Sequence, residues 1–260
     1  MILRDFLTDT ARALAFLSRL PVPSRFFEGH DGTLSRTVRA FPLAGALIAL
    51  PPAATLAAAL LLNATPLLAA FLSIAVLLAV TGALHEDGLS DTADGLGGGG
   101  DRTRALAIMK DSRIGSYGAV TIVVAIGMRA AAIAELASAL PPVATATCLL
   151  ATAATSRALM VWHWSALPPA RADGIAASAG LPEPASRHMA LMSGLLLALV
   201  FLLPASSLLA TVVALLAAAL SASAFTAHVR RRLGGHTGDT IGACQQVTEI
   251  AALAALAMAA

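Results

Sequence analysis

The 260 residues would suit one or two domains by length, but 58% of them are hydrophobic and only 12% are charged, against about 25% charged in an ordinary soluble domain. With a mean hydropathy of +0.80, this excludes a water-soluble fold of this size and a disordered or collagen-like chain. The 17 basic and 15 acidic residues leave a net charge of +2 and no basic tract that suggests nucleic acid, so no nucleic-acid partner is expected.

Along the chain, charges separate apolar spans from polar connections. In segment 1–39, Leu3, Phe6, Leu7, Leu14 and Leu17 fall within about 100° of arc on a helix, with Arg4, Asp5, Asp9, Arg12 and Arg19 on the other side. That pattern predicts an interfacial helix on a membrane leaflet or, equally, a helix packed against the others. Charges interrupt the apolar residues, so no secretory signal is expected. Residues 40–84 contain no Asp, Glu, Lys or Arg, enough for two spans of about 20 residues each, turning at Asn63-Ala64-Thr65-Pro66. Segment 85–116 is acidic and glycine-rich. Two more spans are predicted over 117–161, turning at Pro141-Pro142, then a loop over 162–188. Residues 189–227 give two spans broken near Pro204-Ala205-Ser206-Ser207. A glycine-rich loop over 228–246 and a short last helix over 247–260 complete the chain. The expectation is an all-α, polytopic integral membrane helical bundle in a single membrane domain, 1–260, with about seven transmembrane helices (six to eight) crossing the lipid bilayer.

The turns at 63–66, 141–142 and 204–207 carry no charge, so the four charged segments must share one side. They hold Arg4, Arg12, Arg19, Arg25, Arg36, Arg39, Arg102, Arg104, Lys110, Arg113 and the run Arg230-Arg231-Arg232. By the positive-inside rule that side is the cytoplasm, and the expected location is the inner membrane. Cys148 and Cys244 are too far apart in sequence for a metal-ligand pair or a disulfide framework; Cys148 reads as a small hydrophobe within a helix.

The densest chemistry is His85-Glu86-Asp87-Gly88-Leu89-Ser90-Asp91-Thr92-Ala93-Asp94-Gly95, directly after a span. If the helix continues past Leu84, Asp87, Asp91 and Asp94 lie at i, i+4 and i+7, within about 60° of arc. Like charges on one stripe beside lipid are costly without a cation. Oxygen ligands without a Cys or His cluster favour Mg²⁺ or Mn²⁺ over zinc, so Asp87, Asp91 and Asp94 are the candidate ligands, against a plain solvated acidic loop. Glu86 and His85 point elsewhere on this wheel. Magnesium held by few carboxylates completes its shell with substrate phosphates.

Phosphate partners follow in sequence. Gly95 and Gly97 to Gly100 read as linker or close-approach backbone, because no strand precedes them to make a dinucleotide fingerprint. Asp101 is a plausible N-cap for a short helix carrying Arg102, Arg104 and Lys110. Lys110 and Arg113 are candidate diphosphate clamps. A second polar knot runs from Leu233 to Gly242, with Asp239 a stronger binding candidate than His236. Arg129, Glu135 and Arg157, within or near spans, are expected to face the bundle interior. Trp162-His163-Trp164 reads mainly as an interfacial belt.

The acidic run 85–95, Met109-Lys110-Asp111-Ser112-Arg113-Ile114-Gly115 and Gly118 resemble the signature of the cobalamin synthase family, the adenosylcobinamide-GDP ribazoletransferases. Ser18-Arg19-Leu20-Pro21-Val22-Pro23, Phe41-Pro42 with Gly45, and Gly234-Gly235 through Thr237-Gly238-Asp239 with Gly242 are similar in the same order. The resemblance covers essentially the whole chain except 162–188. It implies a Mg²⁺-dependent inner-membrane enzyme of cobalamin biosynthesis that joins adenosylcobinamide-GDP to α-ribazole, or its 5′-phosphate, and releases GMP. The implied catalytic residues are Asp87, Asp91, Asp94 and Asp239, and the implied substrate contacts are Lys110, Asp111, Arg113, Gly115 and Gly238. Oligomeric state stays open, a homo-oligomer included. The rival enzyme reading is a CDP-alcohol phosphotransferase, whose D-G-x-x-A-R pattern fails after Asp87-Gly88. A transporter is disfavoured because the acids cluster at a boundary and no repeat is seen.

Overall fold

The protein was examined as a computed structural model that describes residues 2–171 and 178–260. Asp173 and Gly174 of the expected 162–188 loop lie outside the described residues. Helix α1 spans Ile2–Leu17. Short 3₁₀ turns at Ser24–Phe26 and Thr37–Ala40 lead into α2, Phe41–Ile48, and α3, Leu50–Leu61. Then come α4, Pro66–Thr81, and α5, Leu84–Gly98. The short α6, Arg102–Ile108, precedes α7, Ser116–Ala139, and α8, Pro142–Ala166. Last are α9, Pro184–Leu202, α10, Leu208–Leu233, and α11, Gly238–Ala259. Among the described residues the only bridge outside helices pairs Pro169 with His236.

The chain is a multi-pass helical membrane protein. Among the described residues, Thr37–Leu61, α7, α8, α9, α10 and α11 are each long and apolar enough to cross, and α4 and α5 are apolar together but bent by 90° at their junction. In the most apolar stretch of α8 78% of residues are buried, and in that of α11 67%, against 28% in α9 and α10. So α8 and α11 form the centre, and α9 and α10 present Leu196, Leu208, Leu209 and Leu220 outward. Lipid offers no hydrophobic drive for helices to associate, so small residues that let backbones approach must supply the packing. A Cβ on Gly45 would meet the Ala153 carbonyl at 2.8 Å, and one on Gly194 would meet Ala158.

Four boundaries differ from expectation. The first span begins at Thr37 and is broken at Ala49, before Pro51 and Pro52 at the start of α3. The chain does not continue as one helix past Leu84: Gly82 and Ala83 are both left-handed, and α5 leaves α4 at 90°. Gly82 takes that conformation freely, whereas for Ala83 it costs roughly 1–2 kcal/mol. The glycines after Gly95 keep the close-approach half of their expectation and lose the linker half, because α5 runs on to Gly98 with Gly95 against Met109 and Gly97 against the Tyr117 ring. The expected loop 228–246 is mostly helix: α10 runs to Leu233, and α11 starts at Gly238 instead of residue 247. Thr237 caps α11, its Oγ1 accepting from the Thr240 amide while Thr240 Oγ1 accepts from the Thr237 amide.

One end of the bundle is stitched by arginines at helix C-termini, where carbonyls lack intrahelical donors. Arg232 donates to the Leu96 and Gly99 carbonyls at 2.9 and 2.8 Å, and Arg102 to Leu233 and Ala170, both at 2.7 Å. Asp101 caps α6 as expected, accepting from the Arg104 amide at 2.8 Å. Helix α1 packs on the bundle through the buried Ala13 and Leu17, while Leu3 and Leu7 stay exposed. Its buried Asp9 pairs with Arg39.

Candidate active site

Helix α5 lies across the end of the bundle, packed on α7 and on the first turns of α11. It can do so because Gly88 has no side chain: a Cβ there would sit 2.8 Å from the Asp239 carbonyl oxygen. Gly242 faces His85 and Gly88 from the other helix. This crossing brings Asp239, distant in sequence, to the acidic stripe. Gly88→Ala is expected to lower thermal stability in detergent by several degrees, since overpacking a tight contact costs roughly 1–3 kcal/mol. An unchanged melting temperature would contradict so close a crossing.

The carboxylates then divide by environment. Asp87 is exposed, and Asp91 and Asp239 are half-buried. Burial pushes the Asp91 carboxyl up to about 6, helped by the charges of Asp87, Asp239 and Asp94. Asp239 is held by Arg171 at 3.2 Å and by Thr237 Oγ1 at 3.1 Å.

Asp94 makes a second set of contacts, with the start of α7. Its oxygens accept from the Gly115 amide at 2.7 Å and the Gly118 amide at 2.8 Å, at the N-terminus of α7. Anionic oxygens on free amides at a helix start are strongly favoured, and side chains at Gly115 or Gly118 would collide with this carboxylate. Asp94 thus also docks α7 on α5 through both of its oxygens. Among the described residues no set of three or more His, Cys, Asp or Glu side chains closes to metal-ligand spacing. The aspartates form an open stripe.

Gly115 belongs to this anchor. Lys110, Asp111 and Arg113 lie exposed on the turn just before it. Arg113 is paired with Asp111 at 2.6 Å, and exposed pairs are worth only about 0–1 kcal/mol, so this pair holds the turn only weakly. Gly238 opens α11, and nothing lies within 4 Å of a Cβ built on it.

Several residues do other work than expected. Glu86 is buried and accepts from Arg129 at 3.1 Å and Gln246 at 3.0 Å. Arg129 also reaches Glu249, whose other oxygen takes bonds from Arg157 at 2.6 Å and Ser156 at 3.1 Å. The interior position expected for Arg129 and Arg157 holds, but Glu135 is exposed near the end of α7. His163 and Trp164 are buried instead of forming an interfacial belt, with His163 bonded to Thr226 and Thr240. His236 is buried too, and burial pulls its ring down to about 4; its backbone pairs with Pro168 and Ala170. Cys148 is fully buried in an apolar cluster.

This arrangement joins a stripe of repelling carboxylates to a cationic turn at one bundle end, which suits a complex of a divalent cation with a diphosphate. The family model for cobalamin-5-phosphate synthase matches residues 9–257. An adenosylcobinamide-GDP ribazoletransferase of Sinorhizobium medicae (strain WSM419) is 57% identical over 258 residues, 99% of this chain and 98% of that protein. One from Rhizobium etli (strain CFN 42) is 53% identical over the full length of both chains. One from Brucella anthropi is 44% identical over 96% of each. No solved structure matches the chain.

Proposed function

Because the chain belongs to the cobalamin-5-phosphate synthase family, we propose that it completes the nucleotide loop of cobalamin as an adenosylcobinamide-GDP ribazoletransferase. A hydroxyl of α-ribazole, or of its 5′-phosphate, attacks the phosphorus bonded to cobinamide. The bond from that phosphorus to the bridging oxygen breaks, GMP leaves with the oxygen, and the hydroxyl proton passes to a carboxylate or to solvent.

The observation that carries this reading is the meeting of Asp87, Asp91 and Asp239 at the α5–α11 crossing. Asp87 and Asp91, one turn apart on α5, offer hard carboxylate oxygens at an open end of the bundle, so the donor set fits Mg²⁺, which these two residues would hold. Magnesium uses one or two carboxylates plus phosphate oxygens and water, so an open stripe suffices. When bound, Mg²⁺ withdraws charge from the diphosphate as GMP departs. Arg113 and Lys110 hold the phosphate oxygens, and Asp239, steadied by Arg171 and Thr237, orients the attacking hydroxyl. In such transfers positioning and electrostatics outweigh a dedicated base.

The same end of the bundle carries Arg102, Arg104, Lys110, Arg113, Arg171 and Arg230 to Arg232, while the opposite turns carry no charge. The positive-inside rule supports an inner-membrane protein with this end in the cytoplasm. Purified protein given both substrates and Mg²⁺ is expected to release GMP, and excess chelator to reduce release more than a hundredfold, reversibly on adding Mg²⁺. Unimpaired release in chelator would exclude the metal.

A further inference from the structure

The Asp239 carboxylate is steadied by the Thr237 hydroxyl, and what steadies Thr237 lies deeper in the bundle. His163, near the end of α8, is fully buried, its ring centroid 5.4 Å from that of Phe225. Its Nδ1 meets Thr226 Oγ1 of α10 at 2.8 Å, and its Nε2 meets Thr240 Oγ1 of α11 at 3.3 Å. Thr240 Oγ1 also accepts from the Thr237 amide at 2.9 Å and donates to the Thr237 carbonyl at 3.1 Å. A hydroxyl has one proton and two lone pairs, so Thr240 has one lone pair left, for an N–H from His163. A neutral ring protonated on Nε2, with Nδ1 accepting from Thr226, therefore satisfies every atom of the chain. The Thr237 hydroxyl in turn accepts from the Thr240 amide at 3.2 Å and donates to Asp239 Oδ2 at 3.1 Å.

We infer that His163 is a positioning residue for the transfer. It touches no reacting atom; it ties Thr240, and with it the Thr237 cap that aims Asp239, to α8 and α10. The inference rests on the transferase reading and adds to it what keeps the carboxylate that orients the acceptor hydroxyl in register. Two features make the tie matter. The backbone pairing of His236 with Pro168 and Ala170 stops one residue short of the cap. Gly238, between the cap and Asp239, adds no packing of its own, since a Cβ there meets nothing within 4 Å. Thr237 and Thr240 bond to each other as a closed cap, and His163 is the side chain that joins this cap to two other helices. Reacting groups need supports whose own rotamers are locked, to within about 0.5 Å, and a misplacement of about 1 Å can cost roughly a hundredfold in rate. An apolar ring at this position would fill the same space and leave the cap untied.

The test uses the full-length protein in detergent. His163→Phe keeps the ring area and removes both nitrogens, whereas His163→Gln restores an N–H near the Nε2 position. His163→Phe is expected to lower kcat for GMP release about tenfold and to leave both KM values within about twofold, the pattern of a loss felt only in the transition state. His163→Gln should recover most of that loss. In an Asp239→Asn background His163→Phe should change kcat by less than about twofold, because effects that run through one carboxylate are not additive. Hydrogen exchange over residues 236–241 should be faster in His163→Phe than in the wild type. An equal loss in the two backgrounds, KM values that rise together, a Gln variant no better than Phe, or unaltered exchange would overturn the assignment. Should His163→Phe fail to fold, Thr226→Val, which unties Nδ1, carries the same test: kcat falls about threefold, an effect that vanishes in the Asp239→Asn background, and wild-type kcat overturns the assignment. A wild type that binds both substrates yet releases no GMP would instead overturn the transferase reading, and faster exchange in His163→Phe would leave the tie standing.

Discussion

Asp91→Asn is expected to lower GMP release by roughly a thousandfold, about 4 kcal/mol of transition-state stabilisation, while the protein still inserts and folds. Asn keeps the shape of Asp but removes the anionic oxygen that a hard cation requires. In a purely structural role the same change would do little harm, because among the described residues Asp91 makes no ion pair, and it stands near other carboxylates. Its removal relieves that repulsion, so the melting temperature in detergent should hold or rise. Loss of turnover with retained stability separates a functional carboxylate from a packing one. Wild-type turnover in the variant would remove Asp91 from the chemistry.

Arg129→Met is expected to act in the opposite sense, on the fold first. Arg129 is 2% exposed and bridges Glu86 on α5 to Glu249 and Gln246 on α11. Two glutamates and two arginines, Arg129 and Arg157, form a buried network of zero net charge. Removing one partner leaves an uncompensated buried charge, which costs about 3–5 kcal/mol. For a chain of this length that corresponds to a melting temperature lower by on the order of 10 °C. Because Glu86 adjoins Asp87, loosening it also loosens the acidic helix, and turnover at permissive temperature should fall as well. A variant as stable as the wild type would show that Gln246 alone satisfies Glu86.

Much of this architecture is legible in the sequence because lipid imposes simple rules. Charge-free runs long enough to span, with charges gathered between them, mark the spans and their shared side. The spacing of Asp87, Asp91 and Asp94 survives because α5 is helical throughout. The bend before it is not legible: Gly82 hints at it, but Ala83 carries no sign that it adopts φ 59°. The start of α11 was hidden by Gly234, Gly235, Gly238 and Gly242, which look like a loop, and by Gln245, Gln246 and Glu249, which look too polar to bury. The Thr237–Thr240 cap was the available signal, and the buried polar face makes sense only once Arg129 and Arg157 from other helices are opposite it. Asp94 shows the limit of spacing arguments. Three acids on one face are equivalent on a helical wheel, and only the arrival of α7, with amides at Gly115 and Gly118, shows that one of them also docks a helix.

The most direct test of the central claim is paramagnetic resonance of Mn²⁺, standing in for Mg²⁺, titrated into purified wild-type and Asp91→Asn protein with adenosylcobinamide-GDP present. The account predicts bound Mn²⁺ in the wild type, tightened by the diphosphate substrate, and at least tenfold weaker binding in the variant. Equal Mn²⁺ affinity in the two proteins would contradict it.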